Sequence, residues 1–275
     1  SLHDALPIWV LYSEDTTPTL DTILARTKKA TLGEAHTFIL EELKKRSLFA
    51  VFEQIEKPLI PLVAKMHERG IAIDKEHFVR LQKQMHQTLD AIAKKVEERT
   101  GTSINLNSPK QLSELLFGTL GLKTKGKRKA SGAFTTNAET LETLRDAHPV
   151  VPLILEHRET QKLLTTYVEA LIEHQASDGR VHAEFLQHGT TTGRFSSANP
   201  NLQNIPNKGD AGKEIRKGFV ATPGYVFVGY DYSQIELRVL AILSGDEHLV
   251  EIFEKGIDVH TGTAARVFGV KEDKV

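Results

Sequence analysis

The feature that most constrains this chain is an apolar stripe: Phe78, Leu81, Met85, Leu89, Ile92 and Val96 recur at steps of three and four. Only an α-helix brings such positions onto one face. Asp74 stands where an N-cap is expected, and Gly101 stands where the chain must leave the helix. An amphipathic helix of this kind needs a partner to cover its stripe. Thr22 to Lys57 has a helical pattern with Leu40, Leu43, Leu48 and Phe52 on its apolar side, and Pro149 to about His174 carries Leu153, Leu163, Leu164, Tyr167, Val168 and Leu171. Met85 is core filler in this reading. Pro58 and Pro61 are expected to break the Thr22 to Lys57 stretch, and Gly70 to close a short helix before a turn through Ile71 to Asp74.

Beyond the turn pair Asp178 and Gly179 the pattern changes. Val181 to Gln187 and Tyr225 to Asp231 read as strands, the second apolar on both faces. The chain therefore divides near residue 175 into an all-helical part and the start of an α+β part with a small antiparallel sheet and flanking helices. Composition agrees with a globular protein: 40% of residues are hydrophobic and 26% charged. Zero Cys excludes a disulfide scaffold, a thiolate zinc site and a cysteine nucleophile, and fits a reducing compartment. With 35 basic residues against 36 acidic, bulk charge gives no argument for a nucleic-acid partner. No apolar run approaches the roughly 20 residues that a membrane helix needs, so a soluble protein without a membrane partner is expected. Ser1 to Ile8 lacks an initiator Met and reads as a cloning or assembly scar. DVHTGTAARVFG is followed at once by Val270 to Val275 without terminal punctuation, so the whole reads as a fragment.

Four places carry chemistry. Between Asn105 and Thr136, six cations (Lys110, Lys123, Lys125, Lys127, Arg128 and Lys129) stand against Glu114 alone, among four glycines. Such a basic tip is either a solvated loop or a contact for a phosphate backbone. Arg158 and Lys162 share a helix face; they could grip successive phosphates or pair with neighbouring Glu. Third, GYVFVGYDYSQIELRVLAIL places Asp231 at the exit of an apolar strand, where a carboxylate on a rigid support suits a hard cation such as Mg²⁺. A helix follows, with Ile235, Val239 and Ile242 as its apolar positions; the bland reading makes Asp231 a helix-start charge and Ser233 with Glu236 a capping box. Fourth, TTTGRFSSANPNLQNIP, Thr190 to Pro206, has no hydrophobic period and sets Arg194, Gln203 and Asn204 among small residues. Its donors suit minor-groove acceptors that occur in every base pair.

These segments resemble the family A DNA polymerases, the bacterial DNA polymerase I type. DYSQIELR is similar to the family's motif A, TTTGRFSSANPNLQNIP to its template-primer motif, and DVHTGTAARVFG to the segment before its fingers helix. EKPLIPLVAKMHERGIAID is similar to the opening of its thumb. Beyond the scar at 1–8, the resemblance implies the tail of a 3′–5′ exonuclease-like domain at 9–50, a thumb at 51–175 with its basic tip near 105–135, and an incomplete palm at 176–275. It implies that Asp231, with the Tyr232 carbonyl, helps hold a pair of catalytic Mg²⁺ ions. Glu236 becomes a steric gate beneath the sugar, His260 faces the incoming deoxynucleoside triphosphate, and Gln234, Arg216 and Arg238 lie near the nucleotide. Arg194, Gln203 and Asn204 contact the primer-template minor groove. Asn105, Ser108 and Lys110 form a backbone-contacting turn, and Arg158 with Lys162 a duplex-gripping helix. A monomeric, cytoplasmic, nucleoid-associated enzyme is implied. The fingers helix and the second catalytic carboxylate would lie beyond Val275, so the fragment itself is expected to be inert. A non-catalytic DNA-binding module, a single-subunit RNA polymerase and an exonuclease are the alternatives. Glu236 speaks against the second, and the isolated Glu14, Asp15 and Asp21 against the third.

Overall fold

The computed structural model describes residues 2–124, 134–207 and 209–275; Lys125, Lys127, Arg128 and Lys129 of the basic segment lie outside the described residues. The chain divides into two compact units, Ser1–Gly224 and Tyr225–Val275.

The first unit opens with α1 (Leu2–Leu11), α2 (Leu20–Thr27) and α3 (Leu32–Lys45). Thr19 with Thr22, and Thr31 with Glu34, close capping boxes that satisfy the first amides of α2 and α3. Leu6, Ile8, Trp9, Ile23, Ile39, Leu43 and Phe52 form the core of this layer, so residues of the stretch expected to be a scar pack inside it. The expected break at Pro58 does not occur. A short α4 (Phe49–Val51) passes through a wider π turn at Phe52–Glu56 into α5 (Lys57–Arg69). Pro58 falls in the first turn of α5, where a missing N–H costs least, and the wider turn before it takes up the change in hydrogen bonding.

The stripe helix is α6 (Lys75–Thr100). The Asp74 carboxylate accepts from the His77 N–H, Gly101 closes the helix at φ 67°, and all six stripe residues are buried. The stripe serves two cores in succession. Phe78, Leu81, Met85 and Leu89 pack with Leu163, Leu164, Tyr167, Val168, Leu171, Val181 and Ile215. Ile92 and Val96 pack with Leu106, Leu112, Leu115, Leu116, Leu141 and Ile154. The second core is made by α7 (Pro109–Ser113) with its π continuation Glu114–Thr119, by α8 (Ala138–Glu142) and by α9 (Val150–Leu163). The helical pattern after Pro149 is interrupted by a π turn at Leu164–Glu169 before α10 (Ala170–Glu173).

Two small antiparallel sheets complete this unit. β1 (Ile71–Ala72), inside the stretch expected to be a turn, pairs with β2 (Arg180–Val181). β3 (Glu184–Leu186) pairs with β4 (Ser196–Ala198) in the register Phe185 opposite Ser197. The single strand expected over Val181 to Gln187 is thus two, each with its own partner. After α11 (Asp210–Lys217), Gly218 passes against the face of Phe78.

The second unit contains α12 (Ile235–Ser244), α13 (Glu247–Glu254) and α14 (Val259–Phe268), the last two capped by Asp246 and Asp258. Two expectations and one alternative reading fail here. Tyr225 to Asp231 has no ladder partner among the described residues, and its apolar side chains are exposed, Tyr230 to 95%. A strand exists only with a neighbour to bond. The Ser233–Glu236 capping box does not form, because Gln234 occupies the cap position in a left-handed conformation (φ 53°) without a side-chain bond to the first amides. Ile235, Val239 and Ile242 are exposed, and Ala241 is the buried residue of α12. Among the described residues no helix is long and apolar enough to cross a membrane.

Gly218 tests the first core. Its φ of −73° suits any residue, but an added Cβ would lie 2.3 Å from Phe78 Cε2 and 2.4 Å from Cζ, and Phe78 is fully buried. Gly218→Ala should therefore destabilise the unit by about 1–3 kcal/mol through overpacking, read as a fall in melting temperature. An unchanged melt would show that the Phe78 seam is loosely packed.

Candidate functional site

The loop from Thr190 to Pro206 has little regular structure of its own, so its main chain must find partners elsewhere. They come from both ends. On the upstream side, buried Gln187 donates from Nε2 to the Glu56 carbonyl at 2.9 Å and to Glu56 Oε2 at 2.8 Å. The His188 ring meets the Thr16 carbonyl at 2.9 Å, and the Trp9 indole N–H donates to the Thr190 carbonyl at 2.9 Å. The Thr190 hydroxyl in turn donates to the Arg194 carbonyl at 2.7 Å. In the middle, buried Ser197 accepts from the Leu202 N–H at 3.2 Å and donates to the Pro200 carbonyl at 3.3 Å. Downstream, the Tyr167 hydroxyl donates to the Asn204 carbonyl, and the Arg216 guanidinium donates to the Ile205 and Pro206 carbonyls at 3.0 and 2.9 Å. Arg194, Gln203 and Asn204 are all exposed on this frame. The frame consumes carbonyls and leaves donor side chains at the surface. Arg216, expected near a nucleotide, is committed to holding the loop.

The helical part presents a second surface. Asn105 Oδ1 accepts from the Asn107 N–H at 2.9 Å, and Ser108 caps α7, accepting from the Gln111 N–H at 3.4 Å. Lys110 and Lys123 are exposed. Asn107 Nδ2 donates to Gln161 Oε1 at 3.2 Å, which brings this turn beside exposed Lys162 on α9. Arg158 differs from Lys162. Its guanidinium is partly buried and donates to the Thr136 carbonyl and, at 3.2 Å, to the Thr136 hydroxyl; burial lowers its pKa from the ordinary value.

In the second unit Asp231 and Tyr232 are exposed on the approach to α12, and Glu236 stands in its first turn. Arg238 donates from Nε to the Ser233 carbonyl at 2.9 Å and lies over the Phe253 ring at 4.5 Å. Asp258 is the hub. It accepts from the His260 and Thr261 N–H groups at 2.9 and 3.0 Å, and from Gln234 Nε2 at 3.2 Å, which together hold its carboxyl below the usual range. Gln234 and exposed His260 are thereby tied to one carboxylate, a link signalled in the sequence only by an Asp at a helix start. Among the described residues no group of three acidic or His side chains could hold a metal. The Asp231 carboxylate and the Tyr232 carbonyl are hard oxygen donors of the kind Mg²⁺ prefers.

Residues 75–275 match DNA polymerase family A. The chain belongs to that family. It is 46% identical over 221 residues to DNA polymerase I of Caldicellulosiruptor bescii, covering 80% of this chain and 26% of that protein. It is 43% identical over 230 residues to the thermostable DNA polymerase I of Thermus aquaticus, covering 83% of this chain and 28% of that one. The POL domain of Pol1 from M. smegmatis, solved in complex with DNA primer-template and dNTP, superposes with a TM-score of 0.88 at 34% identity, covering 99% of this chain and 50% of that one. The chain thus spans between a quarter and a third of the length of these curated relatives. Both the resemblance carried by the motifs and the α+β fold class agree with these matches.

Glu56 is the titratable part of the loop's upstream support. Burial raises its carboxyl pKa above the ordinary value, opposed by the Gln187 bond, and Gln187 Oε1 is buried without a partner among the described residues. An acid with a raised folded pKa contributes its full stability below its unfolded value and loses it as pH rises through the folded value. Glu56→Gln removes that titration, keeps the acceptor for Gln187 Nε2 and adds an N–H for Oε1. Thermal melts should show the variant above the parent at pH 8, with the excess shrinking toward pH 4. An excess that grows on acidification would contradict the burial of this carboxyl.

Proposed function

We propose that this chain is part of a DNA-directed DNA polymerase that adds deoxynucleotides to a primer by two-metal phosphoryl transfer. The single observation that carries the reading is the match of nearly the whole chain to a polymerase domain solved in complex with primer-template DNA and dNTP. Each surface then takes a role. Arg194, Gln203 and Asn204 read the minor groove of the primer-template for shape, since the acceptors there are common to all base pairs. Asn105, Ser108, Lys110 and Lys162 contact phosphates, which positions the duplex without reading sequence. Arg158 acts from behind this surface by holding Thr136.

Asp231 and the Tyr232 carbonyl would hold catalytic Mg²⁺, which supplies Lewis acidity to the transferred phosphate and lowers the pKa of the primer hydroxyl. His260 and Gln234, aligned by Asp258, orient the incoming triphosphate. Arg238 steadies the start of α12 on the Ser233 carbonyl. Glu236 occupies the space beneath the sugar, so a ribonucleotide is excluded by a clash rather than by a weaker attraction. Among the described residues one carboxylate of the pair needed for two ions is assigned, Asp231, and on that reading these 275 residues bind duplex but incorporate no nucleotide. That same count favours the second reading, a non-catalytic DNA-binding module. A monomer in the cytoplasm, associated with the nucleoid, goes with the polymerase reading.

Fluorescence anisotropy with a primer-template duplex tests the first half: affinity should fall linearly in log–log form as salt rises, without sequence preference. A flat salt response would oppose the phosphate-contacting turn. Primer extension tests the second, in a chain of full polymerase-domain length carrying this sequence. Asp231→Asn should abolish extension and leave duplex binding intact, because it removes a metal ligand's charge with little change of shape. Undiminished synthesis would remove Asp231 from the metal site.

A further inference from the structure

The family match begins at residue 75, yet the helices before it supply the upstream support of the loop. Four residues of one short stretch are held from that layer. Phe185 donates its N–H to His67 Nε2 at 2.6 Å, Gln187 bonds Glu56, His188 meets the Thr16 carbonyl, and Thr190 accepts from Trp9. Trp9 is 4% exposed and Gln187 1%, so both donors are shielded from bulk water. The tolerance of this stretch is small, because a Cβ at Gly189 would lie 1.7 Å from Ser196 Oγ.

Thr190 is the junction. Its carbonyl is held by Trp9 and its hydroxyl holds the Arg194 carbonyl, so the N-terminal layer reaches Arg194 through two hydrogen bonds. Arg194 itself is exposed and carries a long, rotamer-rich side chain. Fixing the main chain beneath such a donor lowers the ordering cost when it binds an acceptor.

We propose that the N-terminal helical layer, residues 5–69, is a positioning element for Arg194, acting through the relay Trp9–Thr190–Arg194 with Glu56–Gln187 and Thr16–His188 as supports. The proposal rests on the reading of the loop as a duplex-contacting surface. Trp9, Glu56, Gln187 and Thr190 touch no DNA in this account; they set where Arg194 stands.

The test uses the 275-residue chain and a primer-template duplex, with affinity read by anisotropy and folding by thermal melts. Trp9→Phe keeps a buried ring and removes the N–H; Thr190→Val keeps the volume and removes the hydroxyl. Each should weaken duplex binding by about fivefold, the worth of one net hydrogen bond. In an Arg194→Ala background neither should weaken it further, since residues acting as one unit are not additive. A merely structural role predicts the same loss with or without Arg194, and that additivity would overturn the proposal. If Trp9→Phe lowers the melting temperature, Thr190→Val carries the test, because it leaves the N-terminal core untouched. Unchanged binding by both variants, with Arg194→Ala weakened, overturns the relay and leaves the loop reading standing. Unchanged binding by Arg194→Ala overturns the loop reading, and the relay with it.

Discussion

The apolar stripe of α6 is the constraint on which the first unit depends. One helix face of six side chains feeds two separate cores, so the position of everything packed on the Phe78 end is fixed relative to everything packed on the Val96 end. Burying one aliphatic or aromatic side chain contributes about 1.5–3 kcal/mol, and a rigid rod of this length carries that contribution from one core to the next. Tyr167 and α11 are both placed by the first core, and they are also the downstream clamps of the exposed loop. The packing of α6 therefore reaches the candidate interface through two hydrogen-bonded steps.

That interface follows a simple division of labour. An irregular loop exposes main-chain groups that need partners, and here carbonyls are taken by Trp9, Tyr167 and Arg216 from the body of the unit. Arg194, Gln203 and Asn204 remain at the surface. Two arginines hold main chain: Arg158 donates to the Thr136 carbonyl and Arg216 to the loop carbonyls. The second unit repeats the device on a smaller scale, with Asp258 ordering Gln234 and the first turn of α14.

Local patterns were legible in the sequence wherever the determining partner is close along the chain. Asp74 and Gly101 bound α6 as expected, because a cap is made within three or four residues. The motifs pointed to the family, and the change of pattern beyond residue 175 to the α+β class. What could not be read depends on distant partners. Glu56 and Gln187 are 131 residues apart, and nothing in either neighbourhood announces the other. Tyr225 to Asp231 has strand composition, but a ladder needs a second strand, and the described residues supply none. At the start of α12 a left-handed Gln234 takes the cap position, so the alternative Ser233–Glu236 box does not form; side-chain spacing does not reveal that backbone choice.

Hydrogen exchange read by mass spectrometry, with and without primer-template duplex, tests most directly the claim that a rigid frame presents the loop and the basic turn to one ligand. The account predicts new protection at residues 190–206 and 105–110 on duplex addition, with the α6 amides already slow and unchanged. Protection confined to the second unit, with both of these stretches exchanging as in the free chain, would contradict it.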